Sequence, residues 1–259
     1  MALDEMVLKS VVGESSLPTL RLYDWNPACL SLGYAQPVSD VLQEKLDQDG
    51  YDLVRRATGG RAILHIDELT YSVIGSQDEP RLKGGVLESY RVLSTALLEA
   101  LHLLGIPAHS DETSKSDQES RRKNENPVCF EVPSNYEITV DGKKMVGSAQ
   151  ARRKGGVLQH GTFPLFGDIS RIVYYLDFPG EATRMNAANR LKQRALTAQE
   201  AIGGAITWRE AADAFESAFK DRLNLVLHHD ALSSQEEHQV EALMEEKYAN
   251  PEWTGRISI

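Results

Sequence analysis

Four short stretches of the sequence hold residues whose types and spacing could do chemistry. The first is Arg55-Arg56-Ala57-Thr58-Gly59-Gly60-Arg61-Ala62-Ile63-Leu64-His65. A glycine pair between strands lets the main chain approach a ligand closely. Three arginines beside it favour an anion such as a phosphate or carboxylate. The same residues also describe a tight turn with solvated arginines. The second stretch runs from Asp141-Gly142 through Lys143-Lys144 to Gly147-Ser148-Ala149-Gln150. Small Gly147, Ser148 and Ala149 make room for a ligand, and Lys144 at the rim can hold a carbonyl or phosphate oxygen. On these residues alone, a hairpin with two surface lysines is the simpler reading. The third is Cys129 in Asn126-Pro127-Val128-Cys129-Phe130. A thiolate accepts an acyl group well and keeps it activated as a thioester. Many free cysteines are instead small buried hydrophobes, and that reading is taken for Cys29 in its apolar strand pattern. The fourth is Leu158-Gln159-His160-Gly161-Thr162. His160 could be a base, although a structural hydrogen bond is the commoner role.

Other chemistries find no support. The chain has no GxxxxGK[ST] phosphate loop, no HExxH and no CxxC, and His228-His229 lacks partners at metal spacing, so no metal site is expected. With 28 basic and 38 acidic residues the net charge is −10, which argues against nucleic-acid binding. No apolar run approaches a membrane span, and Met1-Ala2-Leu3-Asp4-Glu5 does not open like a secretory signal. Two cysteines make no disulfide framework. These features together predict a cytoplasmic protein with no membrane contact.

The elements that must position these residues follow from hydrophobic periodicity. Helices are expected over 1–12, over 38–46 with Ser39 or Asp40 as cap, and over 87–104. Strands are expected over 20–23, 29–33, 52–55, 61–65, 69–74, 136–140, 144–151 and 156–164. Asp141-Gly142 is a strong hairpin turn, and the turn near Arg153-Lys154-Gly155 is looser. Residues 110–126 contain no apolar side chain and read as an exposed loop. From Ile169 onward the chain turns helical, with 208–227 capped by Thr207 and 234–248 opened by Ser233 or Ser234. At 259 residues without a dividing linker, the expectation is one α+β domain, residues 1–259.

In order and spacing, RRATGGRAILH, DELTYSVI and DGKKMVGSAQARRKGGVLQHGT resemble the catalytic domain shared by lipoate-protein ligases, octanoyltransferases and biotin protein ligases. The likeness covers residues 20–175, and the ending at Glu246 to Trp253 extends it over most of the chain. The segment from Val128 to Glu137 is similar to the cysteine-containing segment of the Firmicutes-type octanoyltransferases. The implied fold is a mixed β-sheet flanked by helices, class II synthetase-like, with a core over about 20–175 and C-terminal helices over about 176–259. Only about 85 residues follow the core, which predicts no separate accessory domain. The family's opening segment usually follows a short leading strand, whereas here Met1 begins it, so either the start is misassigned or that sheet edge is lost.

The resemblance also implies roles. Cys129 would carry the acyl group and Lys144 would contact its carbonyl. Arg55, Arg56, Thr58, Gly59 and Gly60 would border the acyl tunnel and donor region, together with His65, Gly147, Ser148, Ala149, His160, Gly161 and Thr162. Ala62 to Leu64 and Leu69 to Ile74 would line the tunnel. Lys144 and the Arg55, Arg56 and Arg61 group are the cations expected to activate Cys129. The implied reaction moves an octanoyl group from acyl carrier protein to a lysine of a lipoyl-accepting protein, with glycine cleavage H protein the favoured acceptor. No cofactor is required, and ATP with Mg enters only if the chain is instead an ATP-dependent lipoate-protein ligase. An octanoyl amidotransferase acting between lipoyl domains and a non-enzymatic acyl-protein binder are further alternatives. Because both protein partners are acidic, Lys143-Lys144 and Arg152-Arg153-Lys154 are expected to supply a local basic docking face.

Overall fold

The computed structural model describes residues 1–112 and 136–257. Cys129 and most of the polar stretch 110–126 lie outside the described residues.

Among the described residues, nine strands form two sheets. In the larger sheet, β1 (Thr19–Tyr23), β5 (Glu68–Ser76), β9 (Gly156–Pro164), β8 (Lys143–Arg153), β7 (Tyr136–Val140) and β6 (His109–Glu112) lie side by side in that order, each pair antiparallel. The smaller sheet sets β2 (Cys29–Leu32) between β3 (Asp52–Arg55), which is parallel to it, and β4 (Ile63–His65), which is antiparallel. The mixed pairing expected from the sequence is thus confined to the small sheet, and helices flank both.

Helix α3 (Val86–Leu103) covers one face of the large sheet. Leu93, Leu97, Ala100 and Leu101 fall on one side of it and pack with Phe215 and Phe219 of α6 (Trp208–Arg222) over Tyr71 and Phe163. Each such side chain contributes on the order of 1.5–3 kcal/mol when fully buried. Helix α1 (Ala2–Val12) lies on the opposite face, where Met6, Val7 and Val11 meet Ile74 and Leu158. A third cluster packs the small sheet against residues 169–175 and α4 (Glu181–Arg194). The short α5 (Ala198–Ile202), α7 (Ser234–Leu243) and α8 (Pro251–Gly255) complete the helical end.

Several local expectations change. The helix expected over 38–46 is a single 3-10 turn at Val38–Asp40 followed by α2 (Gln43–Asp49). Val41 is extended and bridges Leu176, so tertiary pairing interrupts the helix, and neither Ser39 nor Asp40 caps α2. The polar stretch begins as a strand: Ser110 pairs with Ile138 at the sheet edge, where polar residues are tolerated. Helix α6 stops at Arg222 because Asn224 takes a left-handed conformation (φ 50°). Thr207 and Ser233 cap their helices through reciprocal bonds with Glu210 and Glu236. The last turn of the 234–248 stretch widens, with the Ala249 amide reaching the Met244 carbonyl at 2.7 Å.

The three-strand run β7-β8-β9 turns twice through two-residue loops. Asp141-Gly142 (φ 50° and 72°) and Lys154-Gly155 (φ 48° and 82°) both have positive φ at each central residue, which matches the twist of the flanking strands. The turn near Arg153 is therefore as tight as the first. Between them, Thr139 pairs with Lys144 while Ile138 pairs with Val146, so Met145 is one extra residue in β8.

Candidate active site

Both arginines that open the glycine loop are buried, Arg55 at 0% and Arg56 at 1% exposure. Arg55 donates to the carbonyls of Thr254 (2.9 and 2.6 Å), Gly33 (2.9 Å) and Gln36 (2.5 Å). Arg56 donates to the carbonyls of Gly59 (3.2 and 2.9 Å), Arg61 (2.7 Å) and Ser31 (3.0 Å). A buried guanidinium needs this many acceptors. These two are therefore not the solvated arginines of a simple tight turn: they clamp the loop. Arg56 closes it onto β2, and Arg55 ties it to the C-terminal helix. The loop also touches the end of β2 directly, since a Cβ at Gly33 would stand 1.8 Å from the Gly60 carbonyl oxygen.

His65 and His160 are each held in buried polar contacts. His65 Nδ1 lies 2.7 Å from Glu68 Oε1 and Nε2 lies 2.7 Å from Ser31 Oγ. In the neutral ring, a proton on Nδ1 shared with the carboxylate leaves Nε2 to accept from Ser31. Trp25 stacks on the His65 ring with centroids 4.3 Å apart. Thr70 and Thr162 both donate to Glu68. Arg56 Nη1 reaches Ser31 Oγ at 3.1 Å, so one buried chain of contacts runs from the glycine loop through Ser31, His65 and Glu68 to Thr162 on β9. His160 Nε2 lies 2.6 Å from Thr58 Oγ1 and Nδ1 lies 3.9 Å from Asp4 Oδ2. Ser72 and Arg21 also donate to Asp4.

Burial lowers the His160 pKa below its ordinary 6.5, against the pull of Asp4. For Asp4 burial acts upward, but His160 and nearby positive charge including Arg21 hold the carboxyl well below its ordinary 3.8. In both cases the unfolded chain takes up a proton that the folded chain resists, so stability is lost as pH falls. The denaturant midpoint is expected to drop as pH falls below 6.5, and more steeply below 3.8. In His160→Gln the first decline should shrink. An identical pH profile for that variant would remove His160 from this account.

Strand β8 sorts its residues onto two faces. Ser148 Oγ lies 2.7 Å from the Tyr71 hydroxyl, which accepts from Gln159 (3.0 Å) on the side covered by α3 and α6. Gly161 is on that side too: a Cβ there would stand 2.6 Å from both the Gly147 carbonyl oxygen and the Tyr71 ring. Gly147 pairs with Thr162 and Ala149 with His160 on the opposite face. Lys144, by strict alternation, would point with Ser148. The extra residue Met145 packs with Val146 in the helix-side core and turns Lys144 to the face of Gly147 and Ala149. There Lys144 is 5% exposed, with Nζ 3.2 Å from Glu137 Oε1. It is not the surface lysine that composition alone favours.

Two openings flank this face. A narrow apolar crevice of about 40 Å³ is walled by Ile63, Leu64, Ile66, Phe166, Ile169 and Ile172. Ile63 and Leu64 were expected in a tunnel wall; Ala62, Leu69, Tyr71 and Ile74 are packed into the cores instead. A wider cleft of about 530 Å³ lies between the glycine loop and the far end of β8, lined by Gly59, Gly60, Arg61 and Ala151 to Arg153. The basic docking face is modified by the structure. Arg152 is bound to Gln150 Oε1 (3.0 Å), the Leu82 carbonyl (2.7 Å) and Ser89 Oγ (2.9 Å), so it secures the start of α3. Cys29 is buried, and burial pushes its thiol up to about 12, which suits packing.

With the geometry in place, comparison with known proteins is informative. The profile of the lipoyl protein ligase A/B catalytic domain matches residues 1–220. The chain belongs to that family. Octanoyltransferase LipM of Brevibacillus brevis is 38% identical over 260 residues, spanning 99% of this chain and 94% of that protein. Octanoyltransferase LipM of Bacillus subtilis is 39% identical over 255 residues, spanning 98% and 92%. Among solved structures, lipoate-protein ligase A bound with ATP superposes with a TM-score of 0.75 at 26% identity, covering 98% of this chain and 92% of that chain. A bipartite lipoate protein ligase from Thermoplasma acidophilum gives a TM-score of 0.78 at 24% identity over 98% and 90%, a likeness of fold.

In this lipoyl protein ligase A/B domain the structure joins Thr58 to His160, and His65 through Glu68 to Thr162. It turns Ser148 and Gly161 away, toward the helices. Glu68, Ser31, Asp4, Gly33 and Met145 escaped the sequence reading. Glu68, Thr70 and Ser72 alternate with Leu69, Tyr71 and Val73, a pattern that ordinarily marks a solvent face. Here the polar side is buried against α1 and the small sheet. Among the described residues no helix is long and apolar enough to cross a membrane.

Proposed function

We propose that this chain is an octanoyltransferase that moves an octanoyl group from acyl carrier protein, through a thioester on Cys129, to a lysine of a lipoyl-accepting protein, glycine cleavage H protein in the first instance. The observation that carries the reading is the near full-length identity of 38–39% to octanoyltransferases. The buried Lys144 beside Gly147 and Ala149 supports it, because a cation shielded from water is suited to an acyl carbonyl oxygen.

In the first step the Cys129 thiolate attacks the carrier thioester carbonyl. The carbon–sulfur bond to the carrier breaks, and the carrier thiolate leaves and takes a proton. In the second step the acceptor lysine amine attacks the Cys129 thioester. The new amide forms, the Cys129 sulfur leaves, and the amine's surplus proton returns to it. Lys144 stabilises the oxyanion in both steps. Thioester exchange is nearly balanced and amide formation is downhill, so the cycle needs no ATP and no cofactor. Residues 1–259 act as one catalytic domain, in the cytoplasm.

The test is intact-mass spectrometry of the protein mixed with octanoyl-acyl carrier protein in the absence of ATP. One added octanoyl group is expected, removable by hydroxylamine and mapped by digestion to the Cys129 peptide. A second reading, ATP-dependent ligation, is favoured by the likeness to the ATP-bound ligase. Mass gain only with free lipoate and ATP, retained by no cysteine peptide, would establish that reading and overturn the first.

A further inference from the structure

The cleft beyond Gly59 is basic in an acidic chain. Arg61, Arg152 and Arg153 line it, and among the described residues no carboxylate does, although the chain carries a net charge of −10. Arg153 lies over the Tyr34 ring at 4.5 Å, and Arg256 covers the same ring at 3.7 Å. Hydrogen bonding and charge from Arg256, then the charge of Arg153, lower the Tyr34 phenol pKa, a sign of local positive potential. Arg152 is bound within the chain by several contacts, which leaves Arg61 and Arg153 as the more loosely held cations of the cleft, Arg153 through one bond to the Ala57 carbonyl at 3.3 Å. A side chain at Gly59 would meet nothing within 4 Å, so the main chain is open to a ligand there.

The cleft lies at the Ala151 end of β8 and Lys144 lies toward the other end. At about 3.4 Å per residue the seven steps between them span roughly 24 Å. An acyl carrier protein presents its acyl group as a thioester at the tip of a long pantetheine arm rooted in a phosphodiester. We propose that the cleft holds the phosphodiester of this arm, through Arg61 and Arg153, while the thioester extends along β8 toward Lys144. The inference rests on the transferase reading. It adds an anion site that measures the donor's arm: charge-assisted bonds from arginine to phosphate favour the phosphorylated arm over its neutral counterpart.

The test compares 4′-phosphopantetheine with pantetheine, in binding by calorimetry and, as their octanoyl thioesters, in transfer. Wild type, Arg61→Ala and Arg153→Ala are measured side by side. In wild type the phosphorylated compound is expected to half-saturate at a concentration at least about tenfold lower, as one charged hydrogen bond would give. In each variant the ratio should fall toward one. Equal half-saturation in wild type, or a ratio unmoved in both variants, overturns the assignment while leaving octanoyl transfer intact. A tenfold binding preference without transfer from either thioester would keep the anion site and defeat the transferase reading. Arginine dependence seen only with the whole carrier protein would point to its acidic surface and overturn the phosphodiester site.

Discussion

Lys144→Met is expected to lower the rate of octanoyl transfer by about 100- to 1,000-fold, the usual effect of removing one oxyanion donor. Methionine keeps the length and apolar stem of the side chain and removes only the charge, so the variant separates chemistry from packing. The partner left behind, Glu137, has a side chain 16% exposed and 3.2 Å from the lost amine. It keeps some contact with water, which limits the cost of losing the amine. Single-turnover acylation of Cys129 and its discharge to the acceptor would both slow, since the same carbonyl oxygen gains charge in each step. The thermal midpoint should move little. A transfer rate within threefold of wild type would reduce Lys144 to a structural cation.

Arg55→Ala is expected to cost about 3–5 kcal/mol of stability, the range for breaking a buried charged contact. The guanidinium sits among the carbonyls of Gly33, Gln36 and Thr254, and its loss removes the donor that all three share. The connection is reciprocal, because Trp253 Nε1 donates to the Arg55 carbonyl at 2.9 Å and the Val38 amide donates to Ile257 at 2.8 Å. Arg55 thus fastens residues 251–257, outside the stretch matched by the family profile, to the glycine loop. Arg55→Lys should rescue little, since one ammonium cannot reach acceptors that a planar fork spans. Denaturant unfolding of the two variants would test this. A loss below 1 kcal/mol in Arg55→Ala would show that other contacts hold the segment.

Elements whose own residues decide them were legible in the sequence. The helix over 87–104, the strands of the β7-β8-β9 run and the caps Thr207 and Ser233 lie where periodicity and capping chemistry put them. The interrupted segment after Pro37 was not, because a backbone bridge from Val41 to Leu176 decides it. The split into two sheets was equally hidden, since pairing between β2 and β3 depends on what α2 brings back. For the candidate site, the stretches that matter were visible and their division of labour was not. Arg55 and Arg61 are alike in a list of residues, yet one is clamped among carbonyls and the other lines a cleft. Glu68 looked like the solvent side of a strand and is the hub of the buried histidine contacts.

The extra residue in β8 makes the aim of Lys144 a matter of counting. Deleting Met145 would leave every other residue of the strand in place, Lys144 included. Regular alternation back from Val146 would then hold the amine on the face of Gly147 and Ala149, because the residue removed is the spare one. The same change would take a methionine out of the core, so its cost falls on packing. A one-residue gap between Lys144 and Gly147 in a related chain therefore foretells adjusted packing with the aim of the lysine kept. The spare residue is what lets two successive apolar side chains share the core face behind a lysine that looks the other way.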